Sequence, residues 1–211
     1  MKKIYLFVTV LVCVLILSTN TRVIDDSFLK ESPKPYFKPI LHIVALGDVN
    51  DSDILFVKKS VESFYPEITC VIDKKEELTS DILASSGTRY EASKIITKYN
   101  SDKNILLITN VDIAYHNKVR NIKEYGIIGY AFRPGKTCVV STFRIKRNGK
   151  AKLMDRLEKV VLHEIGHNLN IPHCENDKEC LMHAADGTVT QIDRERVWIC
   201  DMCRKKIKPL T

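Results

Sequence analysis

An α/β fold built as a single domain on a mixed, mainly parallel sheet is predicted by three observations. Apolar runs of strand length alternate with amphipathic helical stretches through the first half of the chain. Two strand-like runs around a Pro-Gly turn follow, predicting an antiparallel edge strand. A long helical pattern then leads histidines into a cysteine-rich C-terminal segment, so an active-site helix and a C-terminal four-cysteine zinc subdomain complete the expected architecture.

The first strand is Ile40 to Leu46, "ILHIVAL", ended by Gly47-Asp48. A helix is expected from Asp51 to Phe64, because Ile54, Leu55, Val57, Val61 and Phe64 fall mostly on one face. "EITCVID" is the second strand, Thr88 to Tyr99 the second helix, and "NILLIT" from Asn104 to Thr109 the third strand. Asn110 to Glu124 is read as a polar loop. "YGIIGYAF" and "TCVVSTFRI" then form a hairpin across Arg133-Pro134-Gly135-Lys136. Lys152 to Leu169 is a helix whose stripe holds Leu153, Leu157, Val160, Val161 and Ile165.

The chain has 211 residues, 45% of them apolar, enough for one sizeable core. Lys2 and Lys3 precede fourteen uncharged residues, Ile4 to Leu17, so residues 1–20 are expected to be a signal peptide or short membrane anchor. Cys13 within them is expected to be an apolar filler, with lipidation as the alternative. Residues 21–39, with three prolines, form a linker, and residues 40–211 the folded domain. This leader predicts a catalytic domain exported or membrane-anchored outside the cytoplasm. The formal charge of +7 does not point to nucleic acid, because the basic residues are scattered apart from a tail group at Arg204 to Lys208. No coiled-coil repeat argues for assembly, and a monomer is expected.

The chemistry is concentrated in "HEIGHNLNIPHC", His163 to Cys174. His163 and His167 are four apart, so on a helix they stand on one face and both reach one ion. Glu164 sits about 100° round the helix and is available as a base beside a water on that ion rather than as a ligand. His173 joins them only if the helix ends sharply. Asn170 tolerates the left-handed conformation that such an ending needs, and Pro172 prevents the helix from continuing. Three neutral imidazoles leave a fourth zinc position open, the arrangement of catalytic sites.

Four of the seven cysteines, Cys174, Cys180, Cys200 and Cys203, fall within thirty residues, and the last two form a C-x-x-C knuckle. This is ordinary spacing for a closed structural zinc site, and two disulfides are the alternative. Cys70 and Cys138 lie in strand-like runs and are expected in the core. His42 is expected on a strand face, His116 to be exposed, and His183 not to be a ligand, because the three-histidine set is already complete.

These residues resemble the archaemetzincins, a branch of the metzincin zinc metallopeptidases. The family pattern joins a three-histidine motif directly to a cysteine, then a C-x-M segment, seventeen residues and C-x-x-C. Here "HEIGHNLNIPHC" supplies His163, Glu164, His167, His173 and Cys174, "CLM" supplies Cys180 and Met182, residues 183–199 are the seventeen, and "CDMC" supplies Cys200 and Cys203. Asn170 stands where the family has Gly, and five residues rather than four separate Cys174 from Cys180. The resemblance implies two zinc ions per chain, one catalytic on the histidines and one structural on the cysteines, with Glu164 as general base. It implies a Met-turn at Met182 beneath the catalytic metal. It also implies an extended peptide substrate pairing with an edge strand, a role for Gly126 to Phe132 and so for Gly126, Ile127, Ile128, Gly129 and Tyr130 in substrate binding. A cytoplasmic location, as in most of the family, is the alternative to the export that the leader predicts. The expected function is a zinc-dependent peptidase; a catalytically weak zinc-containing peptide-binding module is the second reading.

Overall fold

The apolar runs become the strands of a five-stranded sheet in the computed structural model, which describes residues 38–185 and 188–210. The leader and nearly all of the linker lie outside the described residues. In chain order the elements are β1 (Ile40–Leu46), α1 (Asp51–Phe64), β2 (Thr69–Ile72), β3 (Tyr90–Glu91), α2 (Ala92–Tyr99), β4 (Asn104–Thr109), β5 (Ile113–Asn117) and β6 (Ile122–Ile127). They continue with β7 (Gly129–Ala131), β8 (Thr137–Ser141), α3 (Gly149–Asn168), α4 (Val189–Arg194) and α5 (Asp201–Arg204). The main sheet has the order β2-β1-β4-β8-β7, parallel throughout except for β7, which runs antiparallel to β8 at the edge.

The central strands are apolar on both faces because both are covered. Leu41 and Ile43 of β1, Leu106 and Ile108 of β4, and Cys138 and Val140 of β8 enter one core with α1 and α3. The alternate residues Val44 and Leu46, Ile105 and Leu107, and Val139 enter a second core with Ile95 and Ile96 of α2. His42 lies on a strand face as expected, partly buried, with Nδ1 2.9 Å from Asp73 Oδ2. Cys70 and Cys138 are buried core residues.

Two local expectations change. The stretch read as a loop from Asn110 to Glu124 contains β5 and the first half of β6, which pair antiparallel and with β3 form a second sheet, β3-β5-β6. The chain reverses between them at Asn121, with φ +52°. As a result "YGIIGYAF" is divided: Tyr125 to Ile127 belong to this small sheet, and only Gly129 to Ala131 pair with β8. The second helix also starts later than expected, at Ala92, because Tyr90 and Glu91 are held in register with Ile113 and Ala114 of β5.

Helix α3 carries the histidines and is fixed by a buried arginine. Arg156 is 1% exposed and makes two parallel bonds to Asp193 of α4, Nε to Oδ1 at 2.8 Å and Nη2 to Oδ2 at 2.7 Å. Its Nη1 donates to the carbonyls of Ile145 and Arg147. Arg156→Ala removes these bonds and leaves the Ile145 and Arg147 carbonyls without that donor, so it is expected to cost about 3 kcal/mol, measured as a fall in urea midpoint with unchanged slope.

The expectation of a domain exported through, or anchored to, a membrane is corrected here. Among the described residues no helix is long and apolar enough to cross a membrane.

Candidate active site and metal centres

The active-site geometry begins with the end of α3. Asn170 adopts φ +74°, the left-handed conformation expected of it. Asn170 N–H donates to the His167 carbonyl and Ile171 N–H to the Gly166 carbonyl, both at 2.9 Å, the paired bonds that close a helix on a left-handed residue. The chain turns back at once, and His173 returns to the face that holds His163 and His167.

The three imidazoles converge so that one nitrogen from each lies within 4.8 Å of the others. His167 Nε2 and His173 Nε2 are 3.2 Å apart. Two nitrogens at about 2.0–2.1 Å from a tetrahedral zinc stand about 3.3 Å apart, so the donor set fits that ion. The opposite ring nitrogens are held by the backbone, His163 Nδ1 by Leu181 O at 2.7 Å and His167 Nδ1 by Ile171 O at 2.8 Å. Those bonds turn each Nε2 toward the common centre as the acceptor. Burial, reinforced at His163 by the neighbouring His167, keeps both imidazoles neutral: His163 is held well below its usual pKa and His167 is lowered to about 4.

Glu164 does not join the histidine group. Its residue is 6% exposed, it lines the cleft, and burial alone pushes its carboxyl up to about 8. Gly129 at the edge strand makes room for it: a Cβ there would stand 2.3 Å from Glu164 Oε1. Gly166, one residue before His167, does the same for Met182, whose Sδ would be 2.5 Å from an added Cβ. Met182 is fully buried under the helix at that point, and its carbonyl accepts from Cys174 N–H at 2.7 Å.

Cys174, Cys180, Cys200 and Cys203 gather their sulfurs within 4.8 Å of one another, all four buried. Cys174 Sγ and Cys200 Sγ are 3.7 Å apart. Thiolates about 2.3 Å from a tetrahedral zinc would be about 3.8 Å apart, whereas a disulfide requires about 2.0 Å, so this spacing favours a closed metal site over crosslinks. Burial raises the Cys180 thiol to about 11. Cys200 N–H points at Cys180 Sγ from 3.4 Å, a donor suited to thiolate charge. His183 joins neither group; its Nδ1 faces the Cys174 carbonyl at 2.8 Å.

The cleft runs along β7. Ile127, Ile128, Gly129 and Tyr130 line it, as does Ala131, whereas Gly126 does not: it packs against the Arg144 guanidinium. Arg144 in turn pairs with Asp112 at 2.7 Å. Several features of the cleft escaped the sequence reading. Tyr115 and Tyr125 form its aromatic wall because β5 and β6 are strands, with Tyr115 stacked on Tyr130 at 5.9 Å between ring centroids. Ala184, Ala185, Ile192 and Glu195 reach it from the C-terminal segment. The glycine in the middle of an edge-strand pattern was a signal of close approach, but nothing in the sequence named Glu164 as the group approaching. No local pattern marked Glu195.

Comparison with known proteins gives a consistent result. The model of peptidase family M54 matches residues 46–209, well over half of the chain. An archaemetzincin of Halobacterium salinarum is 28% identical over 177 residues, covering 78% of this chain and 97% of that protein. One from Methanocaldococcus jannaschii is 29% identical over 173 residues, covering 79% and 91%. Among solved structures, the archaemetzincin of Archaeoglobus fulgidus, complexed with malonate, superposes with a TM-score of 0.70 at 24% identity, covering 80% of this chain and 99% of that one. These archaeal relatives complete the correction made above: they give no support to an exported or anchored domain.

Proposed function

The chain belongs to peptidase family M54 and is a zinc metallopeptidase, and from that premise we propose that it hydrolyses peptide bonds with Glu164 as general base beside a metal held by His163, His167 and His173. The observation that carries this reading is the convergence of three imidazoles next to the buried carboxyl of Glu164, which is not one of the gathered donors. When bound, a zinc ion there supplies a Lewis acid that acidifies water and polarises a carbonyl.

The chain's own residues do the rest. Leu181 O and Ile171 O fix the histidine tautomers, so the donor nitrogens are presented without rearrangement. Glu164 accepts a proton from the attacking water on one carboxylate oxygen and returns a proton to the departing amine. The open side of β7, the last strand of its sheet, offers backbone groups to an extended peptide, with Gly129 and Tyr130 nearest the reacting centre and Tyr115 and Tyr125 enclosing it. Met182, packed beneath Gly166, supports the helix under the histidines. A second zinc, on Cys174, Cys180, Cys200 and Cys203, is proposed to be structural, because four thiolates leave no open position.

The test is cleavage of a diverse peptide mixture by the zinc-loaded protein, read by mass spectrometry. Cleavage is expected, with loss on treatment with a zinc chelator and recovery when zinc is restored. Cleavage insensitive to chelation would contradict the proposal. Peptide binding and bound zinc without any turnover would instead favour a catalytically weak peptide-binding module.

A further inference from the structure

One wall of the cleft holds a group that the hydrolytic machinery does not use. Val160 stands one turn of α3 before Glu164, and Ala184, Ala185 and Ile192 face the same cleft. The lining passes from partly exposed Ala184 and Ala185 to buried Ile192 and Glu195, the latter two 1% and 4% exposed. It is therefore an apolar recess with one carboxylate in its buried part.

That carboxylate is incompletely satisfied. Glu195 Oε1 is buried and has no hydrogen-bond partner among the described residues. Burial pushes the carboxyl up to about 7, against the smaller opposing effects of a side-chain hydrogen bond from Gln191 and the charge of Lys159. The Lys159 ammonium is bonded to Asp155 Oδ2 at 3.0 Å. The Gln191 amide donates to the Lys178 carbonyl at 2.9 Å. A buried acceptor left without a donor is costly, so a ligand that delivers a donor to it gains by doing so.

Resting on the peptidase reading above, we propose that Glu195 is a specificity-determining residue that takes the cationic head of a substrate lysine or arginine side chain. The recess suits such a side chain as a whole. Its methylene stem lies along Val160, Ala184, Ala185 and Ile192, and its ammonium or guanidinium reaches Glu195. The α-ammonium of a peptide has no stem to occupy those apolar walls, so a side chain is the better match. A neutral apolar side chain would fill the walls and leave Oε1 unpaired, which is how a buried polar group rejects the wrong ligand.

The test uses N-acetylated peptides that differ at a single position next to the scissile bond, carrying lysine, arginine, leucine or norleucine there. On zinc-loaded protein the lysine and arginine peptides are expected to be cleaved with kcat/KM at least about tenfold above the leucine and norleucine peptides. Glu195→Gln keeps shape and removes charge; it is expected to bring the ratio of kcat/KM for the basic peptides to that for the leucine peptide down to about one. Dissociation constants measured by calorimetry on Glu164→Gln, and on Glu164→Gln with Glu195→Gln, should divide the peptides in the same way without any need for turnover. Equal changes for basic and apolar peptides in both measurements, or no basic preference at all, would overturn the proposal. Basic-selective binding that depends on Glu195, in a protein that cleaves nothing, would uphold the recess and sink the peptidase reading instead.

Discussion

Glu164→Gln is expected to lower kcat/KM by about a thousandfold while leaving the fold and both metal contents unchanged. The amide keeps the size and burial of the carboxylate beside Gly129, so the helix and the histidine geometry have no reason to move. What is lost is the capacity to accept a proton. Because Glu164 is not among the three gathered donors, zinc affinity should be nearly unaffected, in contrast to His167→Ala, where activity and metal should fall together. Equal melting temperatures and zinc contents for wild type and Glu164→Gln, with turnover in only the former, would establish that pattern. Retained turnover in Glu164→Gln would remove the glutamate from the mechanism.

The second large effect is structural. Cys200→Ser should unfold or severely destabilise the C-terminal segment, with a loss on the order of 5 kcal/mol or more, because a closed four-thiolate zinc site supplies folding free energy directly. The damage should reach the active site. Leu181, next to Cys180, supplies the carbonyl that orients His163, and Met182 sits beneath Gly166. Circular dichroism melting and zinc analysis of Cys200→Ser, with Cys138→Ala as a control, would check this. Cys138 is equally buried but belongs to the sheet core, so its replacement should keep both metals. A Cys200→Ser protein of normal stability and normal activity would refute the structural role.

The parts of this molecule that were legible in the sequence are those in which local pattern and tertiary environment agree. β1 and β4 lie where their unbroken apolar runs put them, because both faces of those strands are covered and no alternation is required. The sharp turn after α3 followed from Asn170 and Pro172 alone, and it is what brings His173 to the other two histidines. β5 and β6 were not legible for the opposite reason. Residues such as His116, Ile122 and Lys123 are exposed on a small peripheral sheet, so the pair has the composition of a loop. The division of "YGIIGYAF" between two sheets is likewise a tertiary fact, since nothing local distinguishes Ile127 in β6 from Tyr130 in β7. The gathering of three histidines and of four cysteines was visible because their spacing along the chain nearly fixes their geometry. Glu195 was not, because its burial in the cleft depends on packing of the segment that carries it against α3, which supplies Val160 from much earlier in the chain.

The central claim is that the chain carries two zinc centres with different duties, an open one on histidines and a closed one on cysteines. Anomalous diffraction at the zinc edge from crystals of the metal-loaded protein tests it most directly. Two peaks are predicted: one about 2.0–2.1 Å from nitrogens of His163, His167 and His173 with Glu164 outside bonding distance, and one about 2.3 Å from the sulfurs of Cys174, Cys180, Cys200 and Cys203. A peak at the cysteines alone, or a histidine centre closed by Glu164 as a fourth ligand, would contradict it.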